Sequence, residues 1–462
     1  MSASSPSVIS ASATSTTNSD LTSHAHATPS SMKMPPPLAP SSNTNASAYP
    51  HPSGPAAAPQ PLHTSVLPKL DPDFVRLYNE HIANGPAPPT DINIVRQNYS
   101  SLYRYATQNP SGVGGIGETV VPGWDKYPGE IGVRVYVPPG EPQGVRKVWP
   151  AHFNFHGGGW AVGDLETDAH ICHHICAHVP CCVIDIDYRL IPEYPFPIGI
   201  MDSLTAVLHI LNNHKTFSID PENVTFGGES SGATIALILN HMLRDFGMSD
   251  RLKGVVVGTP TISDVRKYAT PEMSPWPSMQ ESQYAPLLNW EKLKWFDTFK
   301  WMSLGSNAGV SQKEQKRDIS WFADAMNAPS FENLAPLTWV ATAECDPLRD
   351  EAEAYAEKCK EAGNNVLLKR FPGVPHPFMH MDRVLKQGRE YVEDVITHVR
   401  TCLWPDLSKH PNNLPKGGPQ PEEKTSTCQP ERAEPQGLQQ NGFTGTQKED
   451  EDMNDVPTDA SA

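Results

Sequence analysis

Residues 224–243 read VTFGGESSGATIALILNHML, and the organisation of the chain turns on this stretch. Val224 to Gly227 is a short apolar run of strand length, and Ala233 to Leu243 carries the apolar content of a buried helix. Gly228-Glu229-Ser230-Ser231-Gly232 lies between them. A bare Gly-x-Ser-x-Gly says little, because at about 7% Gly and a similar share of Ser it arises by chance in roughly one chain in seven of this length. A strand before it and a helix after it supply a mechanism. Glycines two residues either side let strand and helix pack closely, while Ser230 is held in a strained turn with its hydroxyl exposed. The helix N-terminus beneath it favours developing negative charge. The competing reading is a Gly-rich tight turn with an idle serine.

A serine is a poor nucleophile until a base takes its proton, and that base needs a carboxylate to orient it. Both lie further along the chain. Asp346 sits just past the strand-like run Thr338 to Ala343, in Glu344-Cys345-Asp346-Pro347-Leu348-Arg349-Asp350-Glu351. His376 sits in the Pro-rich loop Gly373-Val374-Pro375-His376-Pro377-Phe378, after the run Val366 to Phe371. His380 is a rival for the base; Glu344 and Asp350 are rivals for the acid. Asp350 and Glu351 also suit the first turn of the helix that follows, where acids complement the macrodipole. Earlier, His156-Gly157-Gly158-Gly159-Trp160 closes another strand, seventy-four residues before Ser230. Consecutive glycines offer backbone N–H groups free of side-chain bulk, which is what an oxyanion hole needs. Gly158 and Gly159, with Gly157, are expected to join the amide of Ser231 in that role; a merely flexible loop is the alternative.

The rest of the chain frames these residues. Near-continuous apolar strands alternate with helical segments after Pro150, which is how a parallel sheet covered on both faces reads. Strands are expected at 152–155, 182–187, 224–227, 254–258, 338–343 and 366–371, with helices at about 167–179, 199–213, 231–246, 350–362 and 382–402. Two alternating stretches before them, 118–121 and 131–137, open the sheet as antiparallel strands, with Val133, Val135 and Val137 on one side. Further upstream Phe74, Leu77, Tyr78 and Ile82 fall at helical steps from Asp71, and Pro86 to Pro89 ends that segment. Residues 262–336 interrupt the alternation with an aromatic-rich helical insertion.

Composition bounds the folded part. Residues 1–65 are Ser, Thr, Ala and Pro with Asp20 and Lys33 as the only formal charges, and cannot offset their ordering entropy. Residues 405–462 are a Pro-, Gln- and Glu-rich tail holding eleven acids and five bases of a chain whose net charge is −16. A single domain over 66–404 is therefore expected between two disordered tails. No signal peptide, transit peptide or spanning segment is legible, so the expected compartment is the cytoplasm. The eight cysteines lie without disulfide-framework spacing, which fits free thiols. An acidic chain with no Lys/Arg stripe gives nucleic acid no footing.

With these blocks in hand, the chain resembles the hormone-sensitive lipase family of α/β-hydrolases. The likeness covers about residues 70–402. It rests on His156 to Trp160, on Tyr188-Arg189-Leu190-Ile191-Pro192-Glu193, on residues 228–232, and on Asp346 to Glu351 followed by His376-Pro377-Phe378. The resemblance implies an α/β-hydrolase fold with an eight-stranded, mostly parallel sheet and a helical cap, here residues 66–115 and 262–335. It further implies no cofactor and a small-molecule ester substrate. The usual family elbow is Gly-Asp-Ser-Ala-Gly, and this chain departs from it at Glu229 and Ser231. His376 is followed by Pro where Gly is frequent. Within the resemblance the same three side chains could serve amide deacylation, lactone opening or elimination. A non-catalytic receptor is the rival from another class, because the plant gibberellin receptor resembles the family while lacking the histidine that stands here at 376.

Two further features call for a reading. His170, Cys172, His173, His174, Cys176, His178, Cys181 and Cys182 look like a zinc site, but Ile171, Ile175 and Val179 repeat every four residues as a buried stripe. A helix without metal is the more economical reading. The insertion holds Trp276, Trp290, Trp295, Trp301 and Trp321, half the tryptophans of the chain, and Leu293, Phe296, Phe299 and Met302 mark an inward face. Trp160, Trp290 and Trp295 are the candidates for an apolar pocket under the cap; plain cap core is the alternative.

Overall fold

The computed structural model describes residues 60–85, 91–99, 105–107, 110, 112–142, 147–302 and 320–405. The expected tails at 1–59 and 406–462 lie outside the described residues, as do the side chains of Trp301 and Met302. Ordered contacts begin earlier than composition suggests: the Gln60 amide donates to the Ala83 carbonyl at 2.7 Å, and His63 stacks on Tyr284 at 4.1 Å.

Eight strands form one sheet: β1 (Gly115–Pro122), β2 (Glu130–Val137), β3 (Trp149–Phe155), β4 (Cys182–Asp187), β5 (Ile219–Glu229), β6 (Leu252–Gly258), β7 (Thr338–Ala343) and β8 (Val366–Phe371). Their order is β1-β2-β4-β3-β5-β6-β7-β8. The β1/β2 and β2/β4 pairs are antiparallel, and every other pair is parallel. Three of the expected strands start and stop where the sequence places them, at 182–187, 338–343 and 366–371. β2 keeps its alternation through Ile131 and Val133, but Val137 is exposed at the rim.

Helices are α1 (Pro72–His81), α2 (Ile92–Tyr99), α3 (Ala169–His178), α4 (Ile198–Asn212), α5 (His214–Phe217), α6 (Ser231–Asp245), α7 (Pro277–Glu281), α8 (Trp290–Met302), α9 (Arg349–Glu361) and α10 (Lys386–Leu403). Strand residues alternate between two apolar clusters, as the period of two requires. Val255 and Val257 join Leu204, Ile235 and Tyr355 from α4, α6 and α9. Val256 joins Phe74, Ile171, Ile175 and Val395 from α1, α3 and α10. The histidine- and cysteine-rich segment is α3: its isoleucines are in the core, Cys172, Cys176, Cys181 and Cys182 are free and buried, and no metal-binding group occurs among the described residues.

The insertion is tied to the sheet at the start of α9. Glu351, fully buried, accepts hydrogen bonds from the Ile262 and Ser263 amides at 2.6 and 3.2 Å. Ser278 on α7 is bonded both ways to Asp350: its amide donates to the carboxylate at 2.7 Å and its hydroxyl accepts from the Asp350 amide at 3.0 Å. Burial pushes the Glu351 carboxyl up to about 8, so in the fold it keeps a proton that the unfolded chain has given up. Native protein then binds more protons than unfolded protein between about pH 4.5 and 8, and stability falls as pH rises through that window. A melting temperature recorded from about pH 5 to pH 8 should therefore decline less in Glu351→Gln, which keeps the acceptor and removes the titration, than in the wild type.

Candidate active site

Ser230 stands between the end of β5 and the start of α6, at φ 54° and ψ −119°. Such a backbone is costly for a residue with a side chain and persists only where its surroundings fix it. Three contacts do so. The Ser230 amide donates to the Gly258 carbonyl at 2.9 Å, and the Ser230 carbonyl accepts from the Thr234 amide at 3.1 Å. On the third side the glycines bring α6 onto β3, where a Cβ at Gly228 or Gly232 would overlap the Phe155 carbonyl oxygen.

The hydroxyl meets its expected partners. His376 Nε2 lies 2.9 Å from Ser230 Oγ, and His376 Nδ1 lies 2.7 Å from Asp346 Oδ2. Asp346 is 1% exposed, and its other oxygen accepts from the Leu348 amide at 2.9 Å, which locks the carboxylate to its own turn. An imidazole held this way can draw a proton from a serine hydroxyl while the carboxylate fixes its tautomer. The rival groups are engaged elsewhere. Glu344 accepts from the Gly373 amide at 2.8 Å and Asp350 serves Ser278. His380 is buried against His170 with ring centroids 5.3 Å apart, 3.9 Å from Asp168 Oδ1, and burial holds it well below the usual imidazole range.

The glycine loop passes directly over the elbow. A Cβ at Gly157 would lie 3.5 Å from Ser230 Cβ and 3.1 Å from the Glu229 carbonyl. Gly158 and Gly159 take φ of 120° and 59°, values that glycine tolerates best. Asp168, which accepts from Asn154 at 3.3 Å, is buried, and burial pushes its carboxyl up to about 7. Ser231 opens α6, so its amide has no acceptor within the helix. His156 braces the loop from below, with Nδ1 donating to the Gly157 carbonyl at 2.7 Å and its ring stacked on Tyr188 at 4.3 Å.

α8 covers this loop. A Cβ at Gly159 would lie 2.6 Å from the Phe296 ring, and one turn on Lys300 Nζ stands 4.3 Å over the Trp160 ring. Trp160 is buried and meets Phe196 edge-on at 5.8 Å. Trp290 is half-buried against Met279, Leu288, Leu293 and Leu348; Trp295 is half-buried with its ring on Phe296 and Phe299. Of these residues Asp168 goes unmarked in the sequence; Glu351 is legible there as a helix-start acid and Phe296 as part of the inward face of the insertion, and neither pattern reveals the contact it makes here.

A family model described as alpha/beta hydrolase fold matches residues 152–380. An AB hydrolase superfamily protein of Schizosaccharomyces pombe is 31% identical over 336 residues, covering 71% of this chain and 93% of the relative. The versiconal hemiacetal acetate esterase of Dothistroma septosporum is 31% identical over 263 residues, 56% of this chain and 76% of that protein. Among solved structures, a hyperthermophilic esterase from the archaeon Pyrobaculum calidifontis superposes with a TM-score of 0.61 at 27% identity, over 72% of this chain and 98% of its own. The chain belongs to the α/β-hydrolase fold family, in the branch of hormone-sensitive lipase type that its four sequence blocks resemble.

The close approach at Gly232 is the most stringent test of this architecture, because the obstacle is backbone and cannot rotate away. Gly232→Ala should cost about 1–3 kcal/mol or more, read as a lowered urea midpoint. Gly117→Ala, where the added methyl meets nothing within 4 Å, should leave the midpoint nearly unchanged.

Proposed function

We propose that this protein is a serine hydrolase of carboxylic esters, with Ser230 as nucleophile, His376 as general base and acid, and Asp346 as the group that orients the imidazole. The observation that carries the reading is the pair of hydrogen bonds made by one imidazole, whose Nε2 accepts from Ser230 Oγ at 2.9 Å and whose Nδ1 donates to Asp346 Oδ2 at 2.7 Å. The esterases among its relatives and structural neighbours support the choice of bond.

In the first half-reaction Ser230 Oγ attacks the ester carbonyl carbon as its proton passes to His376 Nε2. The charge that gathers on the carbonyl oxygen is met by backbone amides of the Gly157–Gly159 loop, Gly158 and Gly159 foremost, and of Ser231. Collapse breaks the bond to the alkoxy group, which leaves as the alcohol with the proton from His376. Water then gives a proton to the same nitrogen as it attacks the acyl-enzyme, and the acid departs as Ser230 regains its hydrogen. Ser230→Ala should lower turnover by about 10⁴ to 10⁶. A fluorophosphonate probe should label the wild type at Ser230 and leave the variant unlabelled; equal labelling of both would remove Ser230 as nucleophile.

The acyl or aryl group is assigned to the apolar space between the glycine loop and α8, with Trp160, Trp290 and Trp295 as lining. Support comes from Phe296 and Trp160 standing on the glycine loop itself, so whatever lies beside that loop meets aromatic surface. Small to medium apolar esters fit such surroundings. With 4-nitrophenyl esters from acetate to laurate, alanine at Trp290 and Trp295 should move the preferred chain length. An unaltered profile in folded variants takes both residues out of the pocket.

A further inference from the structure

The elbow carries a second buried group beside the serine. Glu229 is 4% exposed at the last position of β5, and its Oε1 accepts a hydrogen bond from the Tyr391 hydroxyl on α10. Its Oε2 has no hydrogen-bond partner among the described residues. Room for the pair exists because Gly258, directly across the β5/β6 ladder from Glu229, has no side chain: a Cβ there would overlap Glu229 Oε2 and come within 2.5 Å of the Tyr391 hydroxyl. Burial pushes the Glu229 carboxyl well above its usual range, which favours its uncharged form.

Tyr391 also reaches the loop that carries the base. Its fully buried ring meets Phe378 edge-on at 5.6 Å and Phe371 at 5.9 Å, and those two rings lie 4.9 Å apart. Phe371 closes β8 and Phe378 follows His376 by two residues, so the two rings bracket the segment that presents the imidazole. One side chain thus holds the residue before the nucleophile with its hydroxyl and flanks the base with its ring.

We propose that Tyr391, through its hydrogen bond to Glu229, is a positioning residue that fixes Ser230 Oγ relative to His376 Nε2. This rests on the esterase mechanism above. Proton transfer across that contact is sensitive to sub-ångström placement, and misplacement from outside the chemistry can cost about a hundredfold. The bond lies away from the acyl group, so its loss acts on turnover and leaves substrate binding alone.

The test uses the full chain and steady-state hydrolysis of a 4-nitrophenyl ester, with melting temperatures to establish folding. Tyr391→Phe keeps the ring and removes the hydroxyl; Glu229→Met keeps the bulk and removes the acceptor. Each should lower kcat by about ten- to a hundredfold with KM within about twofold, the double variant should be no worse than the poorer single, and Glu229→Gln, which retains an acceptor, should recover most of the loss seen in Glu229→Met. Full kcat in folded Tyr391→Phe, a change confined to KM, or multiplicative losses in the double overturns the inference. If Tyr391→Phe does not fold, the Glu229 pair decides: low Met with recovered Gln supports it, and equal kcat in the two overturns it. A wild type that takes no fluorophosphonate at Ser230 overturns the mechanism and this inference together, whereas a labelled wild type with unaffected variants overturns the inference alone.

Discussion

The backbone contact between the Phe155 carbonyl and the glycines of the elbow is the constraint from which the site follows. A Cβ at Gly228 or Gly232 would overlap that oxygen, so β5 and the first turn of α6 can close onto β3 only with glycine at both positions. Ser230 lies midway between them and takes the bend, at φ 54°. Strain of this kind costs of order 1–3 kcal/mol and must be offset nearby. The Ser230 amide to Gly258 and the closure of the first turn of α6 by Thr234 supply part of the offset. Phe155 is also the last residue of β3, and the glycine loop begins immediately after His156. The same approach that bends the serine therefore brings Gly157 so near that a Cβ on it would lie 3.5 Å from the Ser230 Cβ.

How far such a site can be read from sequence depends on whether a residue's role is local or set by distant partners. Strands rich in apolar residues announce themselves, and β4, β7 and β8 run over the expected residues. β5 is longer than its apolar segment because Asp220, Pro221 and Glu222 stay in extended backbone between Ile219, which pairs with Trp149, and the core of the strand. α10 begins four residues late, since Phe378–Met381 forms a tight turn whose buried side chains serve the core of the base loop. Ser230, Asp346 and His376 were legible since each sits at the end of a recognisable strand, and the sheet brings strand ends together. Tyr391 was not, because a tyrosine on an amphipathic helix looks like any core aromatic until its hydroxyl is seen to reach Glu229. Phe296 was hidden likewise: its contact with Gly159 crosses 137 positions, and no local pattern encodes it.

The polar groups beneath the elbow follow a common electrostatic logic. Burial raises Glu229 and Asp185 well above the usual carboxylate range and Asp168 to about 7. Asn154 joins two of them, donating to Asp185 at 2.9 Å and to Asp168 at 3.3 Å, so it links the strand below the glycine loop to the start of α3. Burial shifts such carboxyls toward their protonated form because the interior solvates their charge poorly. Asp185 and Asp168 tie β4 and the start of α3 to β3 through Asn154, and Glu229 ties β5 to α10 through Tyr391.

That shift toward the uncharged form bears on the chemistry proposed above the elbow. A carboxylate at position 229, one residue from the nucleophile and in a medium of low polarity, would repel the negative charge that forms on an ester oxygen during attack at Ser230. The amides of the glycine loop would then have to overcome a charge of the same sign from below. With its carboxyl shifted well toward the uncharged form and Tyr391 on one oxygen, Glu229 opposes that charge less. An acid can therefore occupy the position before the nucleophile with less opposition to the oxyanion, provided the site stays closed to water. The ring of Tyr391 among Phe371, Phe378 and Trp339 supplies that closure, so the aromatic packing under the base loop and the protonation of the elbow acid depend on each other.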